Sequence, residues 1–110
     1  MLKESSFVKL KINVPATHLE IVRKALGEAG AGKLGNYDYC ACTYPVHGYF
    51  RPLAGAKPAI GEIGHIEEVE ECCVECICHK DLIESTLEAV KKVHPYEEIA
   101  YDIIPRFDIV

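Results

Sequence analysis

The sequence predicts an α+β fold in which four antiparallel strands form one sheet and two helices cover a single face of it. Three observations support this fold class: segments of alternating hydrophobicity typical of strands, two segments with apolar residues at helical spacing, and the order of these segments along the chain. A chain of 110 residues has the length of one domain, so we expect residues 1–110 to form a single domain.

The first strand and the first helix have the clearest patterns. Residues 7–14 alternate between polar and apolar side chains, which predicts a half-buried strand that ends at Pro15. Thr17 and Glu20 have the spacing of a capping box, in which two side chains bond the free N–H groups at a helix start. We therefore expect a helix to begin there and to end at Gly30.

The middle of the chain predicts three strands and one long loop. Residues 36–44, NYDYCACTY, alternate and predict the second strand, and residues 48–52, GYFRP, predict a short third strand after a turn at residues 46–48. Residues 53–64 contain closely spaced glycines and prolines and predict a loop. A long strand is expected over residues 66–78.

The end of the chain predicts a second helix and a final strand. Asp81 and Glu84 repeat the capping-box spacing, and Pro95 limits the helix to about Val93 because it forces the preceding residue out of helical conformation. Residues 98–104 alternate and predict the last strand. If the short third strand is set aside, the order is βαββαβ, that of a ferredoxin-like sandwich with both helices on one face of an antiparallel sheet.

Composition and charge disfavour nucleic-acid and membrane partners. The chain carries 17 acidic and 12 basic residues, for a net charge of −5, and the basic residues are scattered. Phosphate binding requires concentrated positive charge, so we expect no nucleic-acid partner. The N-terminus lacks the apolar segment of a signal peptide, and the chain has no apolar span of about 18 residues. We therefore expect a cytoplasmic protein that does not contact a membrane.

Six cysteines raise the question of a metal or redox site. Three of them share one face of the strand predicted at residues 66–78, because side chains two residues apart point the same way. These three are Cys72, Cys76 and Cys78. No glycine or proline in this stretch provides the turn that a zinc knuckle needs, so we interpret them as core residues. Cys40 and Cys42 are interpreted in the same way, whereas Cys73 faces the other side and is expected to be accessible.

The glycine-rich segment at residues 48–71 does not match a phosphate-binding loop. It lacks a Gly-Lys-Ser/Thr ending and leads into a strand rich in glutamate, which would repel a polyphosphate. Arg51 is its only arginine, and its guanidinium could bind a carboxylate or make a subunit contact.

Two long motifs resemble a known family. LGNYDYCACTYPVHGYFRPLAGAKPAIGEIGHIEEVEE (residues 34–71) and VHPYEEIAYDIIP (residues 93–105) resemble the inserted domain of YqfO-type, or Nif-three-like, dinuclear-metal proteins. The resemblance extends from Phe7 to Pro105. It implies a CutA/PII-like architecture, itself ferredoxin-like, and association around a threefold axis. It does not imply a metal site or hydrolase activity, because in that family the metal ligands lie in flanking domains; we expect a free-standing copy of the insert.

Our first functional hypothesis is a non-enzymatic homo-oligomer, a trimer by resemblance, that senses a small ligand or binds a partner protein between subunits. It rests on the predicted loop and on the polar corner HPYEE at residues 94–98. The candidate ligand- or interface-binding residues are Arg51, Glu62, His65, His94, Tyr96, Glu97 and Glu98.

Two alternatives remain open at the level of sequence. The first is a metal-binding protein or metal-dependent hydrolase that holds a divalent metal at a subunit interface through His65, His94, Glu62 and Glu98. No HxH or HExxH spacing places two of these ligands on one element. The second alternative is a structural subunit that assembles or caps a larger complex.

Overall fold

The structure, a computed structural model, describes all 110 residues and contains one antiparallel sheet and two α-helices. The strands are β1 (Leu2–Pro15), β2 (Cys42–Phe50), β3 (Glu67–His79) and β4 (Tyr101–Ile109), and the helices are α1 (Leu19–Glu28) and α2 (Ile83–Lys91). The strand order across the sheet is β2-β3-β1-β4, with antiparallel neighbours throughout. The predicted ferredoxin-like fold is confirmed.

The core lies between the two helices and one face of the central strands. β1 and β3 pair so that Leu10 lies opposite Cys76 and Val14 lies opposite Cys72. The buried cluster consists of Leu10, Ile12, Val14, Val22, Leu26, Ala31, Val74, Cys76, Cys78 and Val90. Burying one large aliphatic side chain contributes about 1.5–3 kcal/mol, so this face of each strand turns inward.

The other face of the sheet is not covered by a helix, and we call it the open face. Its central and β2 positions include Lys9, Lys11, Asn13, Cys42, Tyr44, Val46, Gly48, Phe50, Glu71, Cys73 and Glu75. Polar and apolar side chains are mixed on this face. The candidate site lies on the open face, where the C-terminal end of β2 approaches residues 96–100.

β2 differs from its prediction in extent and in continuity. It begins at Cys42 rather than at residue 36 and continues to Phe50, so the turn predicted at residues 46–48 and the separate third strand are wrong. Pro45 and Gly48 suggested an interruption. Pro45 is tolerated because β2 is an edge strand, where the missing N–H of a proline breaks no sheet hydrogen bond. Gly48 is tolerated because a glycine in a strand leaves space for the side chain of a neighbouring strand.

Residues 36–41, predicted as strand, form a loop that is fastened to α1. Tyr39 has a left-handed backbone with a φ of 55°, and its ring lies where a side chain on Gly27 would be, 2.0 Å from the position of a Cβ atom. Tyr39 therefore packs against a helix instead of pairing in the sheet.

β1 and β4 extend beyond the predicted strands and form a terminal arm. β1 begins at Leu2 instead of residue 7, and β4 begins at Tyr101 instead of residue 98 and continues to Ile109 instead of residue 104. Leu2 pairs with Ile109 and Glu4 with Phe107, whereas β3 pairs with β1 only from Phe7 onward. We call residues 1–4 together with 107–110 the terminal arm. It was missed because its first residues lack a regular apolar alternation.

Both helices are present, but the predicted capping boxes are wrong. The chain enters α1 through a short 3₁₀ turn, and no side chain caps the helix; the Thr17 hydroxyl instead hydrogen-bonds His18 Nδ1 at 2.8 Å. A 3₁₀ turn also precedes α2, where His79 Nδ1 accepts the backbone N–H of Asp81 at 3.1 Å. The tighter turn shifts each helix start past the residues with the capping spacing. Neither helix is long and apolar enough to cross a membrane.

The cysteine predictions are confirmed in part. Cys76 and Cys78 are buried in the core as expected, whereas Cys72 is only half-buried and lies outside the core cluster. Cys40 lies in a loop and Cys42 is exposed. Cys73, expected to be accessible, is only 3% exposed, so that prediction is wrong. It lies on a central strand between the longer side chains of its cross-strand neighbours, Tyr44 and Asn13, which cover the small thiol.

Candidate functional site

A groove of about 640 Å³ joins the predicted loop to the HPYEE corner. Its walls come from residues 47–60 and from residues 96–100, and its floor includes the open-face residues Asn13 and Glu71. The groove therefore combines segments that are far apart in the sequence. Of the seven predicted site residues, four line it: Arg51, Tyr96, Glu97 and Glu98.

His94 links the corner to the sheet by hydrogen bonds. Its Nδ1 accepts the backbone N–H of Tyr96 at 3.1 Å, so Nε2 carries the proton and donates to the carbonyl oxygen of Asn13 at 2.8 Å. The ring is buried, and burial lowers the pKa of His94. With both nitrogens engaged and the neutral form favoured, His94 positions the corner and has no free lone pair for a metal.

The neutral state of His94 predicts that acid weakens the fold. The unfolded chain takes up a proton at an ordinary histidine pKa of about 6.5 while the folded chain resists it, so stability falls as the pH falls through that value. His94→Gln, whose amide N–H can replace the Nε2 donor to Asn13 but does not titrate, is expected to lose this contribution. Urea denaturation at about pH 7, 6 and 5 measures it, with the exposed His47→Gln as the matched control. Identical pH dependence in His94→Gln and the wild type would contradict this role.

Tyr96 points from the corner to a buried carboxylate. Its hydroxyl donates to Glu71 Oε2 at 2.8 Å, and its ring packs edge-on against Phe50 with centroids 5.8 Å apart. Burial and the Glu71 carboxylate together raise the pKa of Tyr96, so the hydroxyl remains a hydrogen-bond donor. Tyr96 thus joins the corner, β2 and β3.

Glu71 was not among the predicted site residues. It is 6% exposed, and Tyr96 is the only donor to its carboxylate. Its Oε1 lies over Gly48, where a Cβ atom would be 2.2 Å away, so glycine is required for the carboxylate to occupy this position. A glycine inside a strand of alternating pattern was the signal in the sequence that could have identified this close approach.

Glu97 connects the corner to the loop. Its Oε1 accepts the backbone N–H of Lys57 at 2.8 Å, which holds the loop over the groove. Glu98 and Arg51 line the groove, and both are exposed. Arg51 forms no ion pair within the chain, so its guanidinium is available to a ligand or to another subunit.

The residues of the metal alternative are not brought together. Glu62 and His65 form a surface pair 3.9 Å apart, with side chains 80% and 67% exposed, and neither lines the groove. His94 is engaged as described above. No group of three His, Cys, Asp or Glu side chains is arranged to hold a metal ion.

A second polar cluster occupies the middle of the open face. The Tyr44 hydroxyl donates to Glu75 Oε1 at 2.8 Å, and the ammonium groups of Lys9 and Lys11 lie 3.7 and 3.5 Å from the same carboxylate. The adjacent Cys73 thiol and the Glu75 carboxylate raise the pKa of Tyr44 to about 12. The bond from Tyr44 and the two lysines lower the pKa of Glu75. All charges of this cluster are paired, in contrast to Glu71.

Comparison with known proteins gives close matches to one group of sequences, although no protein-family model matches the chain. A Bacillus subtilis protein named GTP cyclohydrolase 1 type 2 homolog is 48% identical over 97 residues, which is 88% of this chain and 26% of that protein. A Mycobacterium tuberculosis protein of the same name is 42% identical over 95 residues. The solved structure of a Bacillus cereus protein related to NIF3 superposes with a TM-score of 0.80 at 40% identity.

The chain is a homologue of one segment of the NIF3-related proteins. The predicted family resemblance is confirmed. The match covers 96% of this chain but only 26% of the Bacillus cereus structure, so the chain spans about a quarter of the length of these relatives.

Solved CutA structures confirm the CutA/PII-like fold of this NIF3-related segment. The CutA of Archaeoglobus fulgidus, described as a periplasmic divalent cation tolerance protein, superposes with a TM-score of 0.67 at 20% identity over 91% of this chain and 83% of that one. A PII-like CutA from Nostoc has a TM-score of 0.64. At this level of identity the likeness concerns the fold alone.

Proposed function

We propose that residues 1–110 form a single non-enzymatic domain that associates with copies of itself, as a trimer, and binds a small ligand or a partner in the groove. The observation that carries this proposal is the groove itself. The Glu97 contact to the Lys57 backbone holds the loop over the groove, while the His94 and Tyr96 contacts fix the corner. A preformed concave site of this volume, with apolar walls and a few convergent polar groups, is typical of small-molecule binding.

The proposed self-association rests on exposed apolar surface. The terminal arm is a two-stranded extension, and such a ribbon is marginally stable in water without further packing. Its exposed apolar residues are Met1, Leu2, Phe107, Ile109 and Val110. Together with the uncovered open face, the arm provides the surface that a second copy would bury.

The cellular setting is proposed from the thiols and the charge. All six cysteines are free, which suits a reducing compartment such as the cytoplasm. The net negative charge argues against a nucleic-acid partner.

A thermal-shift panel tests the ligand-binding proposal. The panel contains ATP, AMP, Zn²⁺, Mn²⁺, the common amino acids and a set of small amines. A compound present at about a hundred times its dissociation constant stabilises by about 2.7 kcal/mol, which raises Tm by about ten degrees for a chain of this size. We expect at least one class to do so. An unchanged Tm across the whole panel would contradict the proposal.

A pair of variants assigns the response to the groove. The double variant Glu97→Gln, Glu98→Gln removes two of the groove's carboxylates and is expected to reduce the Tm shift of the responding compound. Glu62→Gln removes one charge from the loop outside the groove and is the matched control. An equal shift in the double variant and the wild type would place the binding elsewhere.

A further inference from the structure

We propose that the groove binds a small organic cation, an ammonium group on an apolar or aromatic body, with Glu71 Oε1 as its anionic partner. This inference rests on the proposed ligand-binding function and specifies the chemistry of its ligand.

The first observation is that Glu71 is buried and incompletely paired. A buried carboxylate normally has a cationic partner or several hydrogen-bond donors, because its removal from water is costly. Glu71 has one donor, the Tyr96 hydroxyl on Oε2. No lysine or arginine lies within ion-pair distance, and Oε1 accepts no hydrogen bond. Since no fully buried side-chain oxygen lacks a partner, Oε1 keeps some exposure, and Glu71 lines the groove.

The residues around Glu71 do not supply the missing positive charge. His94 packs against Tyr96 at 5.3 Å between ring centroids, but its Nε2 proton is directed to the Asn13 carbonyl and its Nδ1 is an acceptor. The raised pKa of Tyr96 keeps its hydroxyl a neutral donor. The position facing Oε1 is therefore suited to a cation from outside the chain.

The rest of the groove suits an apolar cation better than an anion. Phe50 and Tyr96 place two aromatic rings beside the carboxylate, and aromatic faces attract ammonium groups. Leu53, Pro58 and Ile60 contribute apolar walls. The charged lining residues are three carboxylates, Glu71, Glu97 and Glu98, against one guanidinium. This balance repels a simple anion.

The test compares three probes of one shape and different charge: phenethylamine, 2-phenylethanol and 3-phenylpropanoate. Calorimetry gives the dissociation constants, and the amide NMR signals of Gly48 and Lys57 report binding in the groove. We expect the amine to bind at least ten times more tightly than the alcohol, and the carboxylate to bind most weakly.

Glu71→Gln isolates the charge, because the glutamine oxygen can still accept from Tyr96. The preference for amine over alcohol is expected to fall to about twofold or less. Glu70→Gln removes the same charge from an exposed position on the opposite face of β3 and should keep the full preference. If Glu71→Gln does not fold, the preference of the wild-type protein for the amine over the alcohol and the carboxylate tests the inference by itself.

Three results would overturn the inference. Equal or tighter binding of the alcohol or the carboxylate would overturn it and leave the proposed ligand binding intact. If no probe moves the Gly48 and Lys57 signals, the inference about an organic cation is also overturned. The proposed ligand binding is overturned as well only if no compound of the thermal-shift panel changes Tm. Loss of self-association in Glu71→Gln, without amine binding by the wild type, would assign Oε1 to a lysine or arginine of a second copy.

Discussion

Phe107→Glu is expected to convert the proposed trimer into monomers. Phe107 is 58% exposed on the terminal arm, and we propose that a second copy buries it. Loss of one buried phenylalanine removes about 1.5–3 kcal/mol, which weakens association roughly tenfold to a hundredfold for each contact, and the glutamate adds an unpaired charge to an apolar interface. Sedimentation equilibrium measures the mass: the wild type should give three times the chain mass of 12.2 kDa, and the variant a single chain.

Leu34→Glu is the matched control for this experiment. Leu34 is 60% exposed, almost the same as Phe107, but it lies in the loop after α1, away from the terminal arm. The control is expected to keep the mass of the wild type. If Phe107→Glu also keeps that mass, the terminal arm is not the interface.

Gly48→Ala is expected to destabilise the protein through Glu71. A Cβ atom at this position would lie 2.2 Å from Oε1 and 2.5 Å from the carboxyl carbon, so the buried carboxylate has to move. Overpacking of this kind costs about 1–3 kcal/mol. Where space is available, alanine is instead favoured over glycine in a strand by about 0.5–1 kcal/mol. The sign of the effect therefore depends on whether the Glu71 side chain is present.

A double-mutant cycle separates these two contributions. Chemical denaturation is used to measure the cost of Gly48→Ala in the wild type and in a Glu71→Ala background, where the substitution should become neutral or stabilising. The Glu70→Ala background is the control, because Glu70 is exposed and points away from Gly48. An equal cost in the Glu71→Ala and Glu70→Ala backgrounds would show that Gly48 serves the backbone and not the carboxylate.

The site was only partly accessible from the sequence. The sequence predicts the HPYEE corner and Arg51 as site residues because charged and aromatic residues cluster around a proline and next to a loop. It does not predict Glu71, since one glutamate among several in an acidic strand has no local signature. Its burial results from Gly48 on the adjacent strand and from Tyr96, which is 25 residues away in sequence.

Glu62 and His65 are predicted site residues that lie outside the groove. Both are ligand-type residues in a glycine-rich loop, which made them candidates, but the loop directs them into solvent and away from the groove. Residue type and loop position carry no information about which side of the loop faces the rest of the protein.

The sequence by itself determined the order of the elements, the inward face of β1 and β3, the family and the ferredoxin-like fold. These properties follow from alternation and helical spacing, which are local, and from two long motifs. Only the tertiary structure decided that β2 is continuous, that Cys73 is covered and that Glu71 has an unpaired oxygen in a groove. Each of these three features depends on the side chains of a neighbouring strand or loop. Which segments become neighbours is determined by strand pairing between parts of the chain that are far apart in sequence.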